Sequence, residues 1–314
     1  LDVITRYPDR NYTSLREAIG NYCGASPAHI VVGNGSTELI SLLISQRAPK
    51  KALLLGPTYS EYNRELSLIN ASTETYLLRE EDDFLLNADD FLSACTEDID
   101  LVIICNPNNP TSSAIQTGDM ERIIRECKKR NIFVMIDETY VEFAPCIEEI
   151  TAIPLTKRYD NLMVIRGVSK FYAAPGLRFG YGITSSEAFL KSLHQHQNPW
   201  SLNSVGAYTG ELMLKDTDYF RETRALILSE RERMFARLSH MDGYKPYAAY
   251  GNFILVRILK EGLTSFDVFE AAIKNRLMIR DCSSFESLTG EYIRFCIMNP
   301  EDNDRLLHVL NSLI

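Results

Sequence analysis

Six short apolar runs, "IVV", "ALLL", "LVIIC", "IFVMI", "LMVIR" and "FGYGI", follow one another between about residue 30 and residue 183, with segments of helical pattern between them. That order predicts an α/β fold, a largely parallel sheet with helices on both faces. Between the third and fourth runs, "TGDMERIIRECKKR" places Met120, Ile123, Ile124 and Cys127 on one helical face, the periodicity of a helix covering a sheet. From about residue 218 the pattern changes. A long charged amphipathic helix, "DYFRETRALILSERERMFARLSHM", leads into alternating strand and helix signals suited to a smaller α+β unit. The expected division is an N-terminal arm at 1–20, a large domain at 21–217 and a small C-terminal domain at 218–314.

A chain of 314 residues with 45% hydrophobic content can bury a large core. Lys and Arg total 33 against 42 Asp and Glu, a net charge of −9, and no basic block exceeds "KKR" at 128–130. Nucleic acid is therefore not an expected partner, because phosphate-backbone binding leaves a basic footprint. No apolar run has the length a bilayer requires, and "LDVITRYPDR" does not read as a signal peptide, so no membrane partner and a cytoplasmic location are expected. The chain starts on Leu1, and a trimmed upstream segment is expected. Seven cysteines form no CxxC pair, and His194 and His196 are the only close histidines; reduced thiols, a solvated helix face and no metal site are the expectations.

In an open α/β sheet ligands collect at the carboxyl ends of the strands, and four polar stretches follow strand runs here. "VVGNGSTE" places two glycines before Ser36 and Thr37 at a helix start, which is either an anion site or a capped helix. "CNPNNPT" is a turn by composition, and its prolines could hold Asn109 rigidly toward a ligand. In "MIDETY", Asp137 follows five apolar residues and should be buried, so it needs a cationic partner that the neighbouring sequence does not supply. Tyr59 in "GPTYSEY" is either core or a ring that stacks on a planar ligand. The stretch "SKFYAAPGLRFGY" sets Lys170 beside Ser169, with Arg178 at a distance from which it could fork onto a phosphate. A lysine desolvated in such a pocket becomes a nucleophile.

Taken together, these stretches resemble the fold-type I pyridoxal-phosphate enzymes, in the branch that holds histidinol-phosphate aminotransferases and threonine-phosphate decarboxylases. The resemblance runs from "YPDRNYTSLREAIG" to "YIRFCIMNPEDNDRLL". It implies a large cofactor-binding domain and pyridoxal 5'-phosphate as cofactor. Lys170 would be the Schiff-base lysine, and Asp137 would hold the pyridinium nitrogen protonated. Asn109 and Tyr140 would bond the ring's phenolic oxygen, with Tyr59 stacked on the ring. Ser36, Thr37, Ser169 and Arg178 would bind the cofactor phosphate, which Tyr7 would reach from the neighbouring subunit of a homodimer. Arg294 would take the substrate α-carboxylate and Arg280 the substrate's own phosphate. Relatives usually read N-P-T-G where this chain has "NPTS", so Ser112 replaces a turn glycine and the local backbone is expected to differ. Relatives also carry a longer N-terminal segment over the substrate.

Within the branch, "NPWSLNSVGAYTGE", "YLLREEDDFLLN" and "IRDCSSFESLTGEYIRF" resemble the decarboxylases, although Trp200 taken alone reads as a core aromatic. The implied reaction converts L-threonine O-3-phosphate to (R)-1-amino-2-propanol O-2-phosphate and CO2, a step of cobalamin biosynthesis in relatives. Transamination of histidinol phosphate is the alternative. A non-catalytic effector module on the same fold is the distant one; it would need a basic DNA-binding domain, which is not expected within these acidic 314 residues, although a trimmed upstream segment could hold one.

Overall fold

The computed structural model describes residues 2–314. Seven strands build the main sheet: β1 (Ile30–Asn34), β2 (Lys51–Gly56), β3 (Ser72–Leu77), β4 (Leu101–Cys105), β5 (Phe133–Asp137), β6 (Leu162–Gly167) and β7 (Phe179–Ile183). Their spatial order is β1-β7-β6-β5-β4-β2-β3. The pairings from β6 through β5, β4 and β2 to β3 are parallel, and only β7 runs antiparallel, to both β1 and β6. The mostly parallel sheet read from the apolar runs is thus present. One strand, β3, was not among those runs. Its "STETYL" sits at the sheet edge and is largely exposed, so burial imposes no apolar pattern on it.

The period-2 geometry of the strands sorts side chains into two layers. In β4, Leu101, Ile103 and Cys105 join one core cluster while Val102 and Ile104 join the other. The first layer is covered by α2 (Ser36–Arg47), α3 (Glu61–Leu68) and α6 (Glu187–His196), through Leu39, Leu43, Leu66 and Leu193. The second is covered by α1 (Thr13–Cys23), α4 (Ala88–Ala94), α5 (Thr117–Lys129) and α7 (Ser204–Met213). As the periodicity predicts, Met120, Ile123, Ile124 and Cys127 of α5 are fully buried. Leu15, Ala18 and Ile19 of α1 are also core residues, so the segment read as an arm over 1–20 is helix and core from Thr13 onward. Trp200 is 44% exposed and packs on Tyr7, which replaces its reading as a core aromatic.

A 23-residue helix, α8 (Thr217–Ser239), starts on the side chain of Asp216, which accepts from the Tyr219 N–H at 2.9 Å. It leads to a second, antiparallel sheet of β8 (Tyr244–Pro246), β9 (Phe253–Ile258), β10 (Arg280–Asp281) and β11 (Tyr292–Cys296), in the order β10-β11-β9-β8. Helices α9 (Ser265–Lys274) and α10 (Pro300–Ser312) complete this part of the chain. Among the described residues no helix is long and apolar enough to cross a membrane.

Candidate active site

Parallel pairing aligns the carboxyl ends of neighbouring strands, and that alignment assembles the site. Cys105 at the end of β4 pairs with Asp137 at the end of β5, which pairs with Ile165 of β6. The segments that follow, 106–112, 138–140 and 168–170, therefore emerge side by side. A cavity of about 320 Å³ at this edge is lined by Ser36, Thr37, Tyr59, Asn109, Asp137, Tyr140, Ser169, Lys170, Arg178 and Arg294. Ten of the sequence-predicted site residues thus converge, and two lie elsewhere. Arg280 lines an adjoining cavity of about 620 Å³ that meets the first at Arg294. Tyr7 is 80% exposed and lies against Trp200 with the rings tilted and their centroids 4.8 Å apart, and it does not line the cavity of its own chain.

The anion end of the cavity is built by the start of α2. Gly35 caps the helix at φ 85, a conformation that disfavours any side chain, and the space a Cβ would fill is occupied by the Arg178 guanidinium. Ser36 and Thr37 open the helix, whose first-turn N–H groups have no intrahelical acceptor. With the hydroxyl of Ser169 and Arg178, these groups line one end of the cavity and could hold an anion there.

At the floor, Asp137 is buried, and burial pushes its carboxyl above the ordinary carboxylate range. Hydrogen bonds oppose that push: the Thr139 N–H donates to Oδ1 at 2.9 Å, as does the Thr139 hydroxyl, and the Tyr62 hydroxyl donates to Oδ2 at 2.8 Å. All its direct partners are neutral donors. Tyr62, Thr139 and Cys105 also line the cavity and were not read from the sequence; the one available signal was the position of Tyr62 three residues after Tyr59 in "TYSEY". Tyr140 is buried edge-on against Phe253 at 5.0 Å, and Tyr59 lies edge-on to Tyr62 at 5.5 Å. Lys170 lines the cavity and is solvent-exposed, its Nζ 5.9 Å from the Tyr140 ring centroid.

Three guanidiniums at the site have neutral oxygens as hydrogen-bond partners. Arg178 donates to the Pro175 carbonyl at 3.2 Å, Arg280 to the Ser284 hydroxyl at 2.7 Å, and Arg294 to the side-chain oxygen of Asn109. Arg280 and Arg294 are moreover direct cross-strand partners on β10 and β11, so they share one face of the sheet. Asp281, the acidic residue nearest in sequence, accepts from the Ser265 hydroxyl at 2.9 Å and the Ser283 N–H at 2.8 Å, and it lines the same cavity as Arg280. Like charges set directly opposite are unfavourable unless an anion bridges them.

Comparison with known proteins follows the same lines. The family described as "Aminotransferase class I and II" matches residues 2–310. A protein of Caldanaerobacter subterraneus subsp. tengcongensis that carries a provisional threonine-phosphate decarboxylase name is 36% identical over 99% of this chain and 83% of its own length. The threonine-phosphate decarboxylase of Salmonella typhimurium is 32% identical over 100% of this chain and 85% of its own. Among solved structures, the histidinol-phosphate aminotransferase of Clostridium acetobutylicum superposes with a TM-score of 0.93 at 30% identity, covering 99% of this chain and 91% of that one.

Proposed function

The chain belongs to the aminotransferase class I and II family, and within it we propose that it is a pyridoxal-phosphate-dependent lyase that decarboxylates L-threonine O-3-phosphate to (R)-1-amino-2-propanol O-2-phosphate, the cobalamin-pathway reaction. The observation that carries the substrate class is the cross-strand pair Arg280 and Arg294, two adjacent guanidiniums with neutral partners, which suits a small amino acid bearing both a carboxylate and a phosphate.

Pyridoxal phosphate, when bound, supplies an electron sink conjugated to the substrate amino group. The residues of the cavity fit it. The start of α2 with Ser36, Thr37, Ser169 and Arg178 would hold the phosphate, Asp137 would keep the ring nitrogen protonated, Asn109 and Tyr140 would bond the phenolic oxygen, and Tyr59 would cover the ring. Lys170 would be the attachment point, and its Nζ would hold the proton that the substrate Cα takes up. Arg294 holds the α-carboxylate and Arg280 the substrate phosphate. Arg280 and Arg294 would orient the substrate for either reaction, so the pair by itself does not choose between CO2 loss and transamination.

The same reading includes a cytoplasmic homodimer and a division into large and small domains at residue 217/218. Tyr7 on the arm, Trp200 just before α7, and Val205, Tyr208 and Leu212 on α7 are exposed apolar side chains, a surface suited to a second copy of the chain. A partner seated there would bring Tyr7 toward the neighbouring phosphate site.

The second reading, histidinol-phosphate aminotransferase, is favoured by the fit to the Clostridium acetobutylicum structure. Two turnover assays on the cofactor-loaded enzyme separate them. CO2 release from threonine phosphate without any keto acid supports the decarboxylase, whereas glutamate from histidinol phosphate plus 2-oxoglutarate with no CO2 overturns it.

A further inference from the structure

Ser112 stands where the resembling family usually has a turn glycine, and its backbone keeps the glycine-type conformation, φ 59, while fully buried. A serine there is strained, yet each of its polar groups is engaged. Its N–H donates to the Asn108 carbonyl, its carbonyl accepts from the Tyr250 N–H, and its Oγ accepts from the Gly251 N–H, each at 2.8 Å. Gly251 is matched to this hydroxyl, since a Cβ on it would stand 3.1 Å from Ser112 Oγ and 3.0 Å from the Phe253 ring. The Gly251 carbonyl in turn accepts from Arg231 at 2.7 Å, and the same nitrogen donates to the Phe143 carbonyl at 2.9 Å.

Two residues on, Phe253 begins β9, and its ring lies 5.1 Å from the Arg294 guanidinium and edge-on to Tyr140. Strand β9 holds Arg294 in register opposite Leu255, and Arg294 donates back to Asn109, three residues before Ser112. The contacts thus close a ring: Ser112, Gly251, Phe253, Arg294, Asn109.

We propose that Ser112 is a positioning residue whose hydroxyl fastens the Asn109 loop to the second sheet, so that Arg294 is already set for the substrate carboxylate before substrate arrives. The role given to Arg294 rests on the proposed function; the clasp itself does not. A glycine at this position would leave the Gly251 N–H without its side-chain acceptor, and the tie between the Asn109 loop and the sheet would then rest on the Tyr250 N–H bond to the residue-112 carbonyl and on the bond from Arg294 to Asn109.

The test pairs Ser112→Gly, which relieves the backbone and removes the hydroxyl, with Ser112→Ala, which removes only the hydroxyl. Amide exchange of the Tyr250 and Gly251 region is expected to accelerate about tenfold in both variants, with α5 and β4 unchanged. The KM for threonine phosphate should rise about three- to tenfold at nearly constant kcat, with cofactor affinity intact. Unchanged exchange at 250–251, or acceleration spread evenly over the chain, overturns the clasp. Faster exchange with an unchanged KM overturns the pre-setting of Arg294. Should the wild type fail to turn over threonine phosphate, the functional reading falls, and the exchange measurement decides the clasp alone.

Discussion

Tyr62 donates its hydroxyl to Oδ2 of Asp137 at 2.8 Å, joining a helix on one face of the sheet to the end of a central strand 75 positions later. Both groups are buried, and the bond is one of three that oppose the upward push of burial on the carboxyl. Removing it in Tyr62→Phe should raise that carboxyl further and weaken its pairing with a ring nitrogen. Affinity for pyridoxal phosphate is expected to fall about tenfold, the worth of one hydrogen bond to a charged group. Titration of the cofactor-free variant by absorbance measures this, and wild-type affinity would contradict it.

Lys170→Ala should abolish the visible absorption band of lysine-attached cofactor and lower turnover by about 10³-fold or more, since both the attachment and the proton carrier are lost. An unchanged spectrum in this variant would sink the assignment of the cofactor to this cavity.

Behind the site, Arg166 pairs with Glu138 at 2.6 Å and lies 3.7 Å from Glu142, so two buried carboxylates share one guanidinium. Burial pushes the Glu142 carboxyl up from its usual 4.5 to about 7, more than Arg166 lowers it, with Glu138 adding to the rise. A raised carboxyl binds its proton more tightly in the folded state. Its contribution to stability is therefore full below pH 4.5 and is lost as pH rises through about 7. Glu142→Gln, which cannot ionise, should gain on the wild type by about 1–2 kcal/mol between pH 5 and pH 8. Urea unfolding across that range tests this, and a pH-independent difference counts against it.

Glu80, on the loop after β3, reaches the second sheet, accepting from Tyr247 at 2.6 Å and from Arg257. Burial raises its carboxyl, but the bonds from Arg257, Tyr247 and Tyr292 outweigh that and bring it to about 2. This contribution is present above pH 4.5 and is lost as pH falls through about 2. Glu80→Gln should cost about 1 kcal/mol at pH 7, less at high salt, and nothing at the acid end. Denaturation midpoints at two salt concentrations provide the check.

If the arm and α7 form a homodimer surface, Tyr208→Glu should convert a dimer into a monomer in analytical ultracentrifugation and reduce turnover at least about tenfold through loss of the partner's Tyr7. A variant that stays dimeric would place the interface elsewhere.

Much of the main sheet was legible because a strand buried on both faces must be a continuous apolar run, and a helix over it must repeat at 3.6 residues. The polar segments at the ends of those runs located the cavity for the same local reason: "GNGST" and "DETY" span a strand end, and "NPNNPT" and "VSK" follow one directly. The strand β3 left no such mark, because an exposed edge is not constrained to be apolar.

What the sequence could not contain was register and packing across distance. That Arg280 stands opposite Arg294, that Tyr62 reaches Asp137, and that Ser112 keeps a left-handed backbone by bonding to residue 251 each depend on two remote segments meeting. Local pattern fixes which residues face a layer, whereas the partner of a buried polar group is chosen only when the layers close and each donor must find an acceptor.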